Sequence, residues 1–229
     1  MRLAVFDIDG TLADGILATP LPALLFQEGL CDPDGYRRLR DYLDTIGAQG
    51  LERPDALAGA YELYAAMLTG TATPAVRSLV RRLWLQRRHL MFTFARPLLA
   101  TLHAQGYTTA LLSSGPQELV EHVAQHLGVP TSWGTCLATC DSAYTGQVAV
   151  RVAGRKGELL QHAFHDTGPV DWARSIAVGN SAADIDLLTT VGRPVAFEPT
   201  AALHRHARIQ GWLCADRSTL PSVLMKEPA

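Results

Sequence analysis

The chain has 229 residues, 48% of them apolar, enough for a real core in one large domain or two small ones. Its 20 basic and 22 acidic residues leave a net charge of −2, without the basic surplus that nonspecific nucleic-acid binding needs. No run approaches the roughly eighteen apolar residues of a membrane span, and the apolar run behind Met1-Arg2 is too short for a signal peptide.

Residues 3–12 read Leu-Ala-Val-Phe-Asp-Ile-Asp-Gly-Thr-Leu. A short apolar run of this kind predicts a buried strand of a parallel sheet. Asp7 and Asp9 then stand at its carboxyl end, where open α/β sheets bind ligands. Two carboxylates held close resist joint ionisation, and a bound divalent cation removes that cost.

From residue 16 to about 90 the pattern is helical, with no strand. Pro20 and Pro22 make the first helix irregular or start it near Pro22. Asp34–Leu43 and Pro54–Leu68 follow, and Thr73-Pro74 opens another helix with a hydroxyl cap and a proline in the first turn. Arginines crowd this block, and Arg81, Arg82 and Arg88 are the candidates to meet an anionic substrate, although a solvated helix face explains any single one.

Arg96-Pro97 begins a further helix, which Gly106 ends. The run Tyr107–Gly115 is a second strand closing on Ser113 and Ser114, ahead of a helix over Pro116–Leu127 whose free N-terminal amides suit an anion. Ser113 serves as helix cap, as anion ligand, or as both. Two β runs around Asp141-Ser142 predict a hairpin. Arg155 and Lys156 precede a helix over Glu158–His165, and Lys156 lies nearer to its start. Ser175–Gly179 is a strand running into Asn180-Ser181 and then Asp184 and Asp186. A further strand precedes Phe197, and a helix spans Leu203–Gly211, with His204 and His206 expected at the surface and Lys226-Glu-Pro-Ala frayed. Cys31, Cys136, Cys140 and Cys214 lack zinc spacing and read as reduced thiols, consistent with cytoplasm.

Taken together, Asp7-x-Asp9-Gly-Thr, a strand ending in Ser113, a lysine at a helix start and Gly179-Asn180-Ser-x-x-Asp184 resemble the four motifs of the haloacid-dehalogenase-like (HAD) phosphohydrolases. The resemblance covers nearly the whole chain. The helical insertion after the first motif, Ser113-x-x-Pro116 and the Tyr144-Thr-Gly hairpin make it most similar to the phosphoserine-phosphatase-like branch. It implies a Rossmann-like α/β core, a doubly wound parallel sheet over residues 1–15 and 91–229, with an all-helical cap inserted at 16–90.

The resemblance further implies that Asp7 is the nucleophile, forming an aspartyl-phosphate, and Asp9 the acid and base. Thr11, Ser113, Ser114 and Lys156 would bind the substrate phosphate, with the lysine charge stabilising the developing negative charge. Mg²⁺ would be held by Asp7, by Asp9 through its carbonyl, and by Asn180, with Asp184 either a partial ligand or a support behind the ligands. Asn180 stands where the family carries aspartate, which predicts weaker metal binding. Asp186 would be structural. Asp9 favours ester hydrolysis over dehalogenation, because only an alcohol oxygen needs a proton. The phosphoserine enzymes carry a glutamate after the first motif, whereas this chain has Ile16 at the matching offset, so another small phosphomonoester fits as well. The rival reading is a catalytically weakened phosphate- or partner-binding protein, with Asn180 as its support. The oligomeric state stays open.

Overall fold

The computed structural model describes residues 1–225, with the side chains of residues 48 and 49 outside the description. The expectation for the tail from Lys226 lies outside the described residues as well.

The chain opens with β1 (Arg2–Phe6) and then runs through four helices: α1 (Leu21–Gln27), α2 (Pro33–Gly50), α3 (Pro54–Met67) and α4 (Thr73–Arg87). Alternation of strand and helix resumes with α5 (Ala95–Ala104), β2 (Tyr107–Pro116), α6 (Gln117–Leu127), β3 (Thr131–Cys140) and β4 (Ala143–Val150). The rest is α7 (Lys156–Phe164), β5 (Ile176–Gly179), α8 (Ile185–Leu188), β6 (Arg193–Phe197), α9 (Ala201–Gln210), β7 (Leu213–Ala215) and α10 (Leu220–Met225).

These strands form one sheet in the order β4-β3-β2-β1-β5-β6-β7. All neighbours pair in parallel except β3 with β4. The chain winds outward from β1 through β2 to β3, then returns to the other side of β1 through β5. The sheet is therefore doubly wound, as expected, with its switch point at the carboxyl end of β1. The apolar run of β1 is continuous because both faces are covered: Ala4 and Phe6 enter one buried cluster, Leu3 and Val5 the other.

The first cluster also takes in Leu25, Met67, Val80 and Leu83 of the helical block, beside Leu98 and Leu119. Helix α4 packs on α6, and α3 on β4. The block thus shares its core with one face of the sheet instead of standing apart. Helix α2 kinks at Gly47, whose left-handed φ of 61° suits a residue without Cβ. The hairpin turn falls on Asp141 and Ser142, with φ 49° and 63°, the left-handed pair that a tight two-residue turn requires.

Two capping expectations fail. Ala72 occupies the cap position of α4. Thr73 instead points to the hairpin, donating from both its amide (2.8 Å) and its hydroxyl (3.2 Å) to the Ser142 carbonyl. Pro116 occupies the cap position of α6, because β2 runs on past Ser113 before the helix begins. His206 is likewise no surface group: it lies half-buried with its ring 4.9 Å from that of Trp212.

Candidate active site

The sheet's parallel registry brings three chain segments to one point. Phe6 is opposite Val178 and Leu111, so β1 and β5 end side by side while β2 runs on past them to Pro116. The Asp7 amide donates to the Val178 carbonyl at 3.0 Å and fixes the start of the loop. Asp7 follows β1, Ser113 lies in β2, Asn180 follows β5, and Lys156 opens α7.

Asp7, Thr11, Ser113, Lys156 and Asp184 are all buried, none more than 5% exposed. The Lys156 ammonium donates to Asp7 Oδ1 at 2.7 Å and to Asp184 Oδ1 at 2.5 Å. Burial works against the ammonium, but Asp184 and Asp7 outweigh it and hold it firmly charged. Burial, reinforced by Asp184 and Asp9 and opposed by Lys156, pushes Asp7 up to about 7. Arg155, the neighbouring cation, is at the surface with both its bonds on Glu158.

Thr11 Oγ1 donates to Asp7 Oδ2 at 3.1 Å and lies 3.4 Å from Asn180 Oδ1. These two oxygens therefore converge on one hydroxyl. Asn180 packs so tightly over Gly10 that a Cβ there would lie 2.1 Å from Nδ2. With φ of 79°, Gly10 is required twice, by conformation and by space.

Asp9 turns its carboxylate the other way. Its Oδ1 accepts from the Leu17 amide at 2.7 Å. Burial raises its pKa, with the Leu17 amide, Lys156 and Arg87 opposing. The Ser113 hydroxyl accepts from the Gly115 amide at 3.0 Å, and the Ser114 hydroxyl is buried without a partner.

Of the two roles expected for Asp184, its hydrogen bonds match the supporting one. Its Oδ2 accepts from the amides of Asn180 and Ser181, each at 3.0 Å, while Oδ1 holds Lys156. Both oxygens are spent on shaping the turn after β5 and anchoring the lysine. Asp186 accepts from the Gly157 amide at 3.1 Å and braces the first turn of α7. The oxygens left to a cation are those of Asp7 and Asn180, beside Asp9. That set of hard oxygens suits Mg²⁺, with one charge fewer than three carboxylates would give.

A cleft of about 900 Å³ opens over these groups, lined by Asp7, Asp9, Ser113, Ser114, Lys156 and Asn180 among others. The arginines expected there are elsewhere. Arg82 pairs with Glu28 at 2.9 Å, and the charges of Arg81 and Arg88 act on His122 and His126 of α6. Arg82 thus turns toward the end of α1, and Arg81 and Arg88 toward α6. Arg87 comes closer, donating to the Ile16 carbonyl at 3.2 Å.

Three lining residues carried no signal in the sequence: Glu52, Tyr61 and Thr200. Glu52, between α2 and α3, accepts from Thr200 Oγ1 at 2.9 Å across the cleft. Nothing in their local sequence marks either partner, since they are 148 residues apart.

Fold and site define the class: a hydrolase of the phosphatase type, with a buried aspartate–lysine pair at the switch point of a doubly wound sheet. The chain belongs to the haloacid dehalogenase-like hydrolase family, whose model matches residues 4–189. The "Inhibition of morphological differentiation protein" of Streptomyces azureus is 27% identical over 88% of this chain and 66% of its own length. "Phosphoserine phosphatase SerB1" of Mycobacterium tuberculosis is 27% identical over 93% of the chain and 70% of its own length. A substrate-bound phosphoserine phosphatase structure shares the fold, with a TM-score of 0.67 at 20% identity over 97% of this chain and 96% of that one. The branch is the phosphoserine-phosphatase-like one.

Proposed function

We propose that the protein is an Mg²⁺-dependent phosphomonoester hydrolase that works through an aspartyl-phosphate on Asp7. The observation that carries this reading is the buried pair of Asp7 and Lys156, 2.7 Å apart and open to the cleft. A purely structural pair has no need of a cleft, of a second carboxylate at Asp9, or of Thr11 bonded to the free Asp7 oxygen.

Asp7 Oδ2 is the attacking atom, since Oδ1 is held by Lys156. Attack forms the bond from Oδ2 to phosphorus and breaks the bond to the ester oxygen. The departing oxygen takes the proton of Asp9, whose pKa burial raises. Asp9 then takes a proton from the water that opens the aspartyl-phosphate, and Asp7 is restored with release of inorganic phosphate. Lys156 remains a fixed cation beside the transferring group. The hydroxyls of Ser113, Ser114 and Thr11 bind the phosphate oxygens, and the unpartnered Ser114 hydroxyl is available for this without losing a bond. Mg²⁺ bound by Asp7, Asp9 and Asn180 supplies charge that favours the ionised nucleophile and the anionic substrate.

The helices of residues 16–90 act as the cap over a core made of residues 1–15 and 91–229. Two bonds support this: Leu17 to Asp9 at 2.7 Å, and Thr200 to Glu52 at 2.9 Å. Both join the block to the cleft, and water exclusion during phosphoryl transfer gives such a cover a purpose.

The test is release of inorganic phosphate from p-nitrophenyl phosphate and a panel of small phosphomonoesters, with and without Mg²⁺. Magnesium-dependent turnover that Asp7→Asn abolishes is expected. Folded protein that turns over no ester refutes the proposal and favours a phosphate-binding role.

A further inference from the structure

Resting on the phosphatase reading above, we infer that the substrate is the phosphate ester of an aliphatic alcohol, whose hydrocarbon chain lies in a second, apolar recess. This recess has a volume of about 650 Å³, open solvent at its mouth included. Five of its lining residues, Ile16, Ala18, Leu51, Leu57 and Tyr61, also line the cleft over Asp7, so the two spaces adjoin. Beyond that junction the walls are Leu21, Leu39, Leu43 and Tyr64, from α1, α2 and α3. A group leaving phosphorus at Asp7 has this space beside it.

The lining is chemically selective. Among the described residues, no Asp, Glu, Lys, Arg or His lines the recess. An ammonium or carboxylate on the leaving group would lose its hydration there without gaining an opposite charge. The Thr19 hydroxyl in the wall already donates to the Ile16 carbonyl, at 2.9 Å. Glu52, which lines the cleft next to Leu51, already accepts the Thr200 hydroxyl, and Asp9 already accepts the Leu17 amide. A sugar or amino-acid alcohol finds few partners, whereas methylene groups find leucine and tyrosine side chains.

Ile16 marks the transition. It is 43% exposed, a large apolar side chain turned to open space where the cleft meets the recess. An apolar chain passing from phosphate to recess would cover it. Hydrolysis then releases the alcohol, its oxygen carrying the proton from Asp9, with inorganic phosphate as the second product.

The experiment is a series of n-alkyl phosphates from ethyl to octyl, with phosphoserine beside them, assayed for phosphate release with Mg²⁺. The leaving alcohols hardly differ in acidity, so the slope of log kcat/KM with chain length reports burial alone. We expect kcat/KM to rise about two- to fourfold per methylene until the recess is filled, and hexyl phosphate to exceed phosphoserine by at least tenfold. Leu43→Asn and Ala60→Leu, which make the recess polar or smaller, should each flatten that slope. Turnover of ethyl phosphate with a flat slope, or a preference for phosphoserine, overturns the inference and leaves the phosphatase standing. No turnover of any ester overturns both.

Discussion

Replacing Lys156 with methionine separates structural from chemical roles in the site. The side chain is 2% exposed and donates to Asp7 at 2.7 Å and Asp184 at 2.5 Å. Methionine fills similar space but leaves two buried carboxylates facing each other with no cation. Breaking a buried ion pair by removing one partner costs about 3–5 kcal/mol, and the variant should lose that much stability at pH 7.5 without metal. At pH 5.5 the loss should shrink. Asp7, already pushed up to about 7 by burial, then carries a proton, and only Asp184 lacks its partner. Urea unfolding of both proteins at the two pH values, followed by circular dichroism, measures the difference. A loss below about 1 kcal/mol at pH 7.5, or an equal loss at both pH values, would refute the reasoning.

The same shift fixes the sign of the wild-type pH dependence. Asp7 has its folded pKa raised, so its contribution is fully present below its ordinary value of 3.8 and is lost as pH rises through about 7. Thermal unfolding of metal-free protein between pH 5 and 8 should therefore show falling stability, and Asp7→Asn should reduce that slope. Asn180→Asp should tighten Mg²⁺ binding on the order of tenfold by adding a charge to the oxygen set; equal affinities in a titration would count against Asn180 as a ligand. Asp9→Asn should lower kcat/KM for an alkyl phosphate by about 10²–10⁴ and that for p-nitrophenyl phosphate much less, because nitrophenolate leaves without a proton and the later attack of water does not enter kcat/KM. Phe197→Ala should cost about 3–5 kcal/mol, since the ring is fully buried against Phe92 and Phe94; a cost under 1 kcal/mol in urea unfolding would mean that the pocket collapses.

Residues next to strand ends were legible from the sequence, because local pattern alone puts them there. Asp7 after an apolar run and Ser113 within one needed only the rule that ligands gather at the carboxyl ends of parallel strands. The doubly wound sheet and the part of Asn180 came from the family resemblance of the motifs, not from the strand pattern by itself. Burial within a helix was less legible. Arg81, Arg82 and Arg88 look like substrate contacts in a one-dimensional string, but the turn of α4 aims them toward Glu28 and α6. Asp184 suited a ligand until the turn after β5 took both its oxygens. Thr73 met the composition of a cap, yet the hairpin turn competed for its hydroxyl and won. Glu52 and Thr200 were illegible because their meeting depends on how the helical block lies over the sheet, which no short spacing encodes.

The strand at the middle of the sheet is also the first one synthesised. The Leu3 amide donates to the Ser175 hydroxyl, a partner 172 residues later in the chain. At about 5–20 residues per second, the ribosome needs roughly ten to thirty seconds to deliver that partner. Throughout this interval one edge of β1, with its row of unpaired amides and carbonyls and its apolar side chains, has nothing to pair with. The five α-helices between β1 and β2 are made first and bury apolar surface of their own, but they cannot complete the sheet. Assembly of the nucleophile is thus a late event. Until β5 emerges, the nascent chain carries Asp7 on an unfinished edge, and this edge is where a holding chaperone would act or a misfolded association begin.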